Sequence, residues 1–216
     1  MSLRPEDVIP EPLSRVVAPL PDWFVIGGHA VRCLCPYRPS RDVDFGVGSA
    51  RRLDDLVAQL EASATIEILE RAPDTVHLRW NGINVSVFVL EMLVPFTSER
   101  RLTVPGILAT KLHAILDRGT RRDFFDLYVT MQSQKLGIAD ALAAMREVYR
   151  QPIKDALLLR ALTYFDDAER EARLPGEGGD DWNSVKDFFL TRVGSLLVPP
   201  TAPLEIQERR VDVRQS

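Results

Sequence analysis

Asp42 and Asp44 are the residues of this sequence best suited to chemistry. They stand two apart in Asp42-Val43-Asp44-Phe45-Gly46-Val47, whose polar and apolar residues alternate as in a half-buried strand. Successive side chains on a strand point to opposite faces, so both carboxylates project to one side while Val43 and Phe45 anchor the other in a core. Two carboxylates so close repel unless a cation lies between them or one takes up a proton. Oxygen-only ligands favour Mg2+ or Mn2+ as that cation. Taken alone, the pair also fits a solvated edge or a turn.

Gly27-Gly28 adds a second element. Glycines between a strand and a helix let backbone N–H groups approach an anion, and the start of a helix favours negative charge. A triphosphate needs such a cradle together with a metal bridging its oxygens; a plain tight turn is the alternative. Ser40, with Arg38 and Arg41, sits just before the carboxylates and either contacts phosphate or lies in a solvated loop.

The elements that must position these residues are legible in outline. Residues 1–20, with prolines at 5, 10, 12 and 19, read as an irregular lead-in. Trp23-Phe24-Val25-Ile26 is a short buried strand stopped by Gly27-Gly28, and a helix from about His29 to Cys35 ends at Pro36. Ser49 caps a helix carrying Leu53, Leu56, Val57 and Leu60. Strands follow at Ile66–Leu69, Thr75–Trp80 and Ile83–Leu90, the last two joined by the hairpin signal Asn81-Gly82, so the sheet is mixed. After Pro95 the pattern becomes helical: a helix opened by Pro105, another from near Arg122, and others over 138–149, 152–171 and 182–197. The fold class is therefore α+β, a small mixed sheet with flanking helices and then a helical region. Its divisions are 1–20, an α/β core over 21–95, a helical region over 96–198, and a flexible tail over 199–216.

Composition narrows the function classes. The chain has 216 residues, 45% hydrophobic and 27% charged, enough for a real core without disulfides. A net charge of −4 leaves no global basic footprint, so a nucleic-acid partner must meet a local patch. Cys33 and Cys35, one residue apart, are poorly placed for a disulfide and have no second Cys/His group to complete a zinc site. They read as buried thiols in a reducing cytosol. No signal core or membrane-spanning stretch is visible, so the expected location is cytoplasmic.

Phe24-Val25-Ile26-Gly27-Gly28-His29-Ala30 followed by Ser40-Arg41-Asp42-Val43-Asp44-Phe45 resembles the first motif of the DNA polymerase β-like nucleotidyltransferases. Within them the sequence most resembles the AbiEii/AbiGii toxin family. Lys111-Leu112-His113-Ala114, Arg118 and Arg122-Asp123-Phe124-Phe125-Asp126-Leu127-Tyr128 are similar to that family's helical segment, and 162–168 and 182–189 to its C-terminal part. The likeness covers roughly residues 20–197.

The resemblance implies Mg2+-dependent transfer of a nucleotide from an NTP to an acceptor hydroxyl. In several members of that family the acceptor is the 3′ end of a tRNA and a partner antitoxin restrains the activity, so the resemblance implies an RNA or protein hydroxyl as acceptor, a tRNA 3′ end among them, and a protein antitoxin as partner. On it, Asp42 and Asp44 match the metal-binding pair, Lys111 the lysine that meets the triphosphate, and Asp123 the later aspartate, with Asp126 a weaker claimant. The strand Ile83–Phe88 departs from the pattern. Ser86 stands where a third carboxylate is expected, and a serine is neither a general base near neutral pH nor a strong metal ligand. Either two strand carboxylates and Asp123 suffice, or the protein binds nucleotide, RNA or a protein partner without turnover.

Arg100, Arg101, Lys111, Arg118, Arg121 and Arg122 form the most basic region, which reads as a triphosphate or RNA-backbone contact or as a solvated helix face. His29 reads as a histidine satisfied by a local hydrogen bond. Asp166-Asp167 reads as a solvated helix face, and Trp182, Phe188 and Phe189 as packing residues.

Overall fold

A computed structural model describes residues 3–40 and 42–197. Arg41 and the tail expected to be flexible lie outside the described residues.

The lead-in is helical rather than irregular. Helices α1 (Pro5–Val8) and α2 (Glu11–Val17) bury Val8, Ile9, Leu13 and Val17. Pro5 and Pro12 sit in the first turns of these helices, where a missing N–H costs nothing, Pro10 stands at the N-cap of α2, and Pro19 lies beyond its end. Strand β1 (Trp23–Val25) leads into helix α3 (Gly27–Leu34), which begins on the two glycines rather than after them. Strand β2 (Val43–Val47) and helix α4 (Ala50–Ser63) follow, with Ser49 capping α4 by accepting the Arg52 N–H.

Strands β3 (Ile66–Arg71), β4 (Thr75–Trp80) and β5 (Ile83–Val89) form an antiparallel meander. Asn81 and Gly82 both take positive φ, which makes the two-residue turn match the strand twist and fixes the β4–β5 register. A 3-10 turn over Glu91–Phe96 leads to the short strands β6 (Thr97–Ser98) and β7 (Arg101–Leu102). The helical half comprises α5 (Val104–Asp117), α6 (Arg121–Gln134), α7 (Ile138–Tyr149), α8 (Asp155–Ala161), α9 (Asp166–Arg170) and α10 (Asp181–Leu197). The single helix expected over 152–171 is thus two short ones.

The sheet order is β3-β4-β5-β2-β1-β7-β6, with β2–β5 and β1–β7 parallel and the other pairs antiparallel. The sheet continues past Pro95, because β7 pairs with β1; two-residue strands carry too little pattern to be read from sequence. Alternation divides the sheet. Val43, Phe45, Val47, Val76, Leu78, Trp80, Val85 and Val87 pack on one face with α2 and α4. The intervening Asp44, Ser86 and His77 must project to the other face, toward the helical half. That half has its own core of α5, α6, α7 and α10 residues with Phe24, Ala30 and Val31. Its centre is Phe124, ringed by Phe165, Trp182 and Phe189. No helix among the described residues is long and apolar enough to cross a membrane.

Candidate active site

A cleft of about 410 Å3 opens between the sheet and the helical half. Gly27, Gly28, Ser40, Asp42, Asp44 and Lys111 all line it, so residues from three separate parts of the chain converge on one place. Asp42 lies one residue before β2 rather than within it, yet it faces the same cleft as Asp44. Its Oδ1 accepts a hydrogen bond from Asn84 Nδ2 at 3.1 Å.

Asp44 is half-buried, and its carboxyl is pushed above the usual range. Burial is the main cause; Lys111 opposes it, Asp42 adds to it, and the Ser86 hydrogen bond and Arg118 oppose it again. A cation shared by Asp42 and Asp44 would relieve both the burial and the repulsion.

Gly27 is required on two counts. Its φ is +58°, and a Cβ on it would stand 2.7 Å from Asp44 Oδ2. A Cβ on Gly28 would stand 2.9 Å from Ser40 Oγ. The glycine pair therefore lets the start of α3 press against Asp44 through Gly27 and against Ser40 through Gly28.

Lys111 is buried and lies 2.6 Å from Asp126 Oδ2 and 3.2 Å from Asp123 Oδ1. Burial works against its charge, but Asp126 and Asp123 outweigh it and hold the ammonium protonated. Asp123 is fully buried and sits behind the cleft rather than in it. Thr120 caps α6 and donates to its Oδ2 at 2.6 Å, while Arg118 Nε donates at 2.8 Å. Burial would raise this carboxyl, but Lys111, Arg118 and Thr120 together bring it down to about 2. Asp123 thus orients Lys111 and Arg118. Asp126 is equally buried and is clamped by Arg38 Nη2, 2.8 and 2.9 Å from its two oxygens. Tyr37 also donates to it. This cluster ties the loop before Asp42 to α5 and α6, and nothing in the sequence spacing signals the role of Arg38 or Tyr37.

The basic region separates into three. Arg100 covers Trp23 at 4.7 Å and donates to the Ala18 and Leu20 carbonyls. Arg101 donates to the Leu3 carbonyl. Arg121 is buried against Glu177 and lies over Trp182 at 4.4 Å. Only Lys111, Arg118 and Arg122 line the cleft. Arg118 and Arg122 also line an adjoining recess of about 590 Å3, with Arg38 and Arg173.

His29 is buried, and among the described residues the one local hydrogen bond in reach of its ring is a backbone contact at Asp42 too loose to satisfy either nitrogen at ordinary geometry. Burial, with the charges of Arg32 and Arg38, holds its pKa down to about 4 against an opposing pull from Asp42. Cys33 and Cys35 are thiols, and burial pushes Cys33 up to about 11. Asp166 and Asp167 are exposed, while Trp182 and Phe189 are buried.

The helical half decides the relationship. Residues 92–195 match the family "Nucleotidyl transferase AbiEii toxin, Type IV TA system". This half is similar to that family. It contains Lys111, Asp123 and Asp126, and the resemblance read from their motifs agrees with it. Over 185 residues the chain is 25% identical to the uncharacterized protein aq_aa25 of Aquifex aeolicus (strain VF5), covering 82% of this chain and 88% of that one. A crystal structure of a candidate nucleotidyltransferase from H. pylori aligns with a TM-score of 0.55 at 16% identity, covering 89% of this chain and 95% of that one. The sheet and the helical half together thus share the fold of that structure. Asp42 and Asp44 lie before the matched residues, and their assignment rests on the cleft.

Proposed function

We propose that the protein transfers a nucleoside monophosphate from an NTP to an acceptor hydroxyl, as the toxin component of a toxin–antitoxin system restrained by a protein antitoxin. The observation that carries this reading is the convergence of Asp42, Asp44, Gly27-Gly28 and Lys111 on one cleft of a nucleotidyltransferase fold.

The residues fit a hard divalent cation. Mg2+ is commonly held by one or two carboxylates plus substrate phosphates, and Asp42 and Asp44 supply that number, with Asp44 burdened by its own charge. Bound there, Mg2+ or Mn2+ would neutralise charge developing on the phosphates. Lys111, kept protonated by Asp123 and Asp126, presents a fixed positive charge toward the triphosphate. Asp123 takes part by holding Lys111 and Arg118, without touching substrate. Ser40 and the backbone of Gly27 and Gly28 approach the phosphates at the start of α3. The recess with Arg118, Arg122 and Arg173 offers the backbone of an RNA acceptor, such as a tRNA 3′ end, a basic surface beside the cleft.

The test is incubation with α-32P-labelled NTPs, Mg2+ and total tRNA. Wild type labels RNA, and D42A/D44A does not. Ser86 favours one second reading, nucleotide binding without turnover; nucleotide binding in calorimetry, with no label transferred by wild type, would establish it instead.

A further inference from the structure

Strand β3, at the edge of the sheet, carries a β-bulge. Ile68 pairs with Leu78 and Glu70 with His77, so Leu69 is the extra residue and stands with Glu70 opposite His77. His77 belongs to the row Asp44, Ser86, His77 across β2, β5 and β4, whose paired side chains share the cleft face. Leu69 and His77 both line the cleft. Leu69 packs in neither hydrophobic core and is 49% exposed, so an apolar side chain meets the open cleft. The His77 ring is held in place from two sides. Ser86 gives its hydrogen to the Asp44 carboxylate, so its Oγ accepts from His77 Nδ1–H at 2.9 Å. Phe88 meets the ring edge-on, with the centroids 5.5 Å apart.

We infer that Leu69 and the His77 ring form a shelf on which the terminal nucleobase of an RNA acceptor stacks. The inference rests on the nucleotidyltransferase reading above and deepens it. The direction of the chemistry decides the occupant. In nucleotidyl transfer the attacking hydroxyl oxygen and the leaving pyrophosphate oxygen lie on opposite sides of the α-phosphorus. The phosphate end of the cleft is at Gly27-Gly28, directly after β1, with Lys111 on α5, which packs against α3. In the sheet order β3-β4-β5-β2-β1, the side of Asp44 away from that end is β5, β4 and β3. The terminal nucleoside of the acceptor therefore lies over those strands. His77 and Leu69 stand two and three strands from Asp44, roughly 10 and 14 Å at the usual strand spacing, a distance that a ribose and its base bridge. A nucleobase presents a flat face of the kind that aromatic and apolar side chains stack on. A serine or threonine hydroxyl of a protein acceptor brings no such face. Leu69 thus binds the acceptor and leaves the NTP untouched.

The experiment measures label transfer from α-32P-labelled NTPs with Mg2+, varying total tRNA and NTP in turn, for wild type, Leu69→Ala and Leu69→Trp, with a thermal melt of each. Leu69 is half-exposed on an edge strand, so both variants are expected to melt with wild type. L69A is expected to raise the KM for tRNA by about ten-fold and to leave the KM for NTP within about two-fold. L69W, which offers a wider stacking face, is expected to bring the tRNA KM to the wild-type value or below. A general loosening of the edge strand would move both constants together. A folded L69A with an unchanged tRNA KM, or a folded L69W no better than L69A, would overturn the shelf. A raised NTP KM with an unchanged tRNA KM would overturn it as well, seating the base of the incoming nucleotide there. Label found on protein instead of RNA would also overturn it, while leaving the transferase reading standing. Equal transfer by wild type and D42A/D44A would remove that reading, and the shelf with it.

Discussion

Gly27 approaches Asp44 so closely that a Cβ there would stand 2.7 Å from Oδ2, and its φ of +58° is one that side chains resist. Gly27→Ala is therefore expected to destabilise the protein by about 1–2 kcal/mol from the backbone alone. Nucleotide transfer falls further than the lost stability accounts for, because the Asp44 carboxylate must move aside. Urea melts paired with the labelling assay check this; a G27A protein matching wild type in both would contradict it.

Lys111 sits between two fully buried carboxylates, so its loss leaves Asp123 and Asp126 short of positive charge. Lys111→Met is expected to cost about 3–5 kcal/mol, toward the lower end because Arg38 and Arg118 remain. K111M/D126N should regain part of the loss, a coupling that a double-mutant cycle of urea midpoints measures directly. Additive losses would mean that the ion pair contributes nothing.

His29 sets a pH dependence of stability. Its folded pKa is depressed from 6.5 to about 4, so between those values the unfolded chain binds a proton that the fold does not. Stability therefore falls as pH falls through that window, by up to about 3 kcal/mol, and is unaffected by this group above it. His29→Gln should flatten the profile of unfolding free energy between pH 4 and 6.5. A wild-type slope retained in H29Q would assign the effect elsewhere.

Much of the site is local enough to be legible in sequence. Asp42-Val43-Asp44 shows its facing through strand parity, and Gly27-Gly28 marks the start of a helix. Gly27 is required chiefly by its contact with Asp44, which no spacing reveals. His77 could have been found: the two-residue turn at Asn81-Gly82 pairs Trp80 with Ile83 and counts out to His77 opposite Ser86. The Arg38–Asp126 clamp joins residues 88 positions apart, and such pairs leave no periodic trace. The same holds for the burial of Asp123. Matched by resemblance to a site aspartate, it proves to be the buried acceptor for Lys111, Arg118 and Thr120. The N-terminal helices were hidden by their prolines, which mark first-turn positions as readily as loops.

The claim on which the rest depends is that Asp42 and Asp44 together hold a divalent cation with the nucleotide. Mn2+ electron paramagnetic resonance with a nonhydrolysable NTP analogue tests it without any need for an acceptor. Wild type is expected to bind Mn2+ only weakly alone and tightly with the nucleotide, and D42A/D44A to bind it in neither case. Undiminished Mn2+ binding by a folded D42A/D44A protein in the presence of nucleotide would contradict the account.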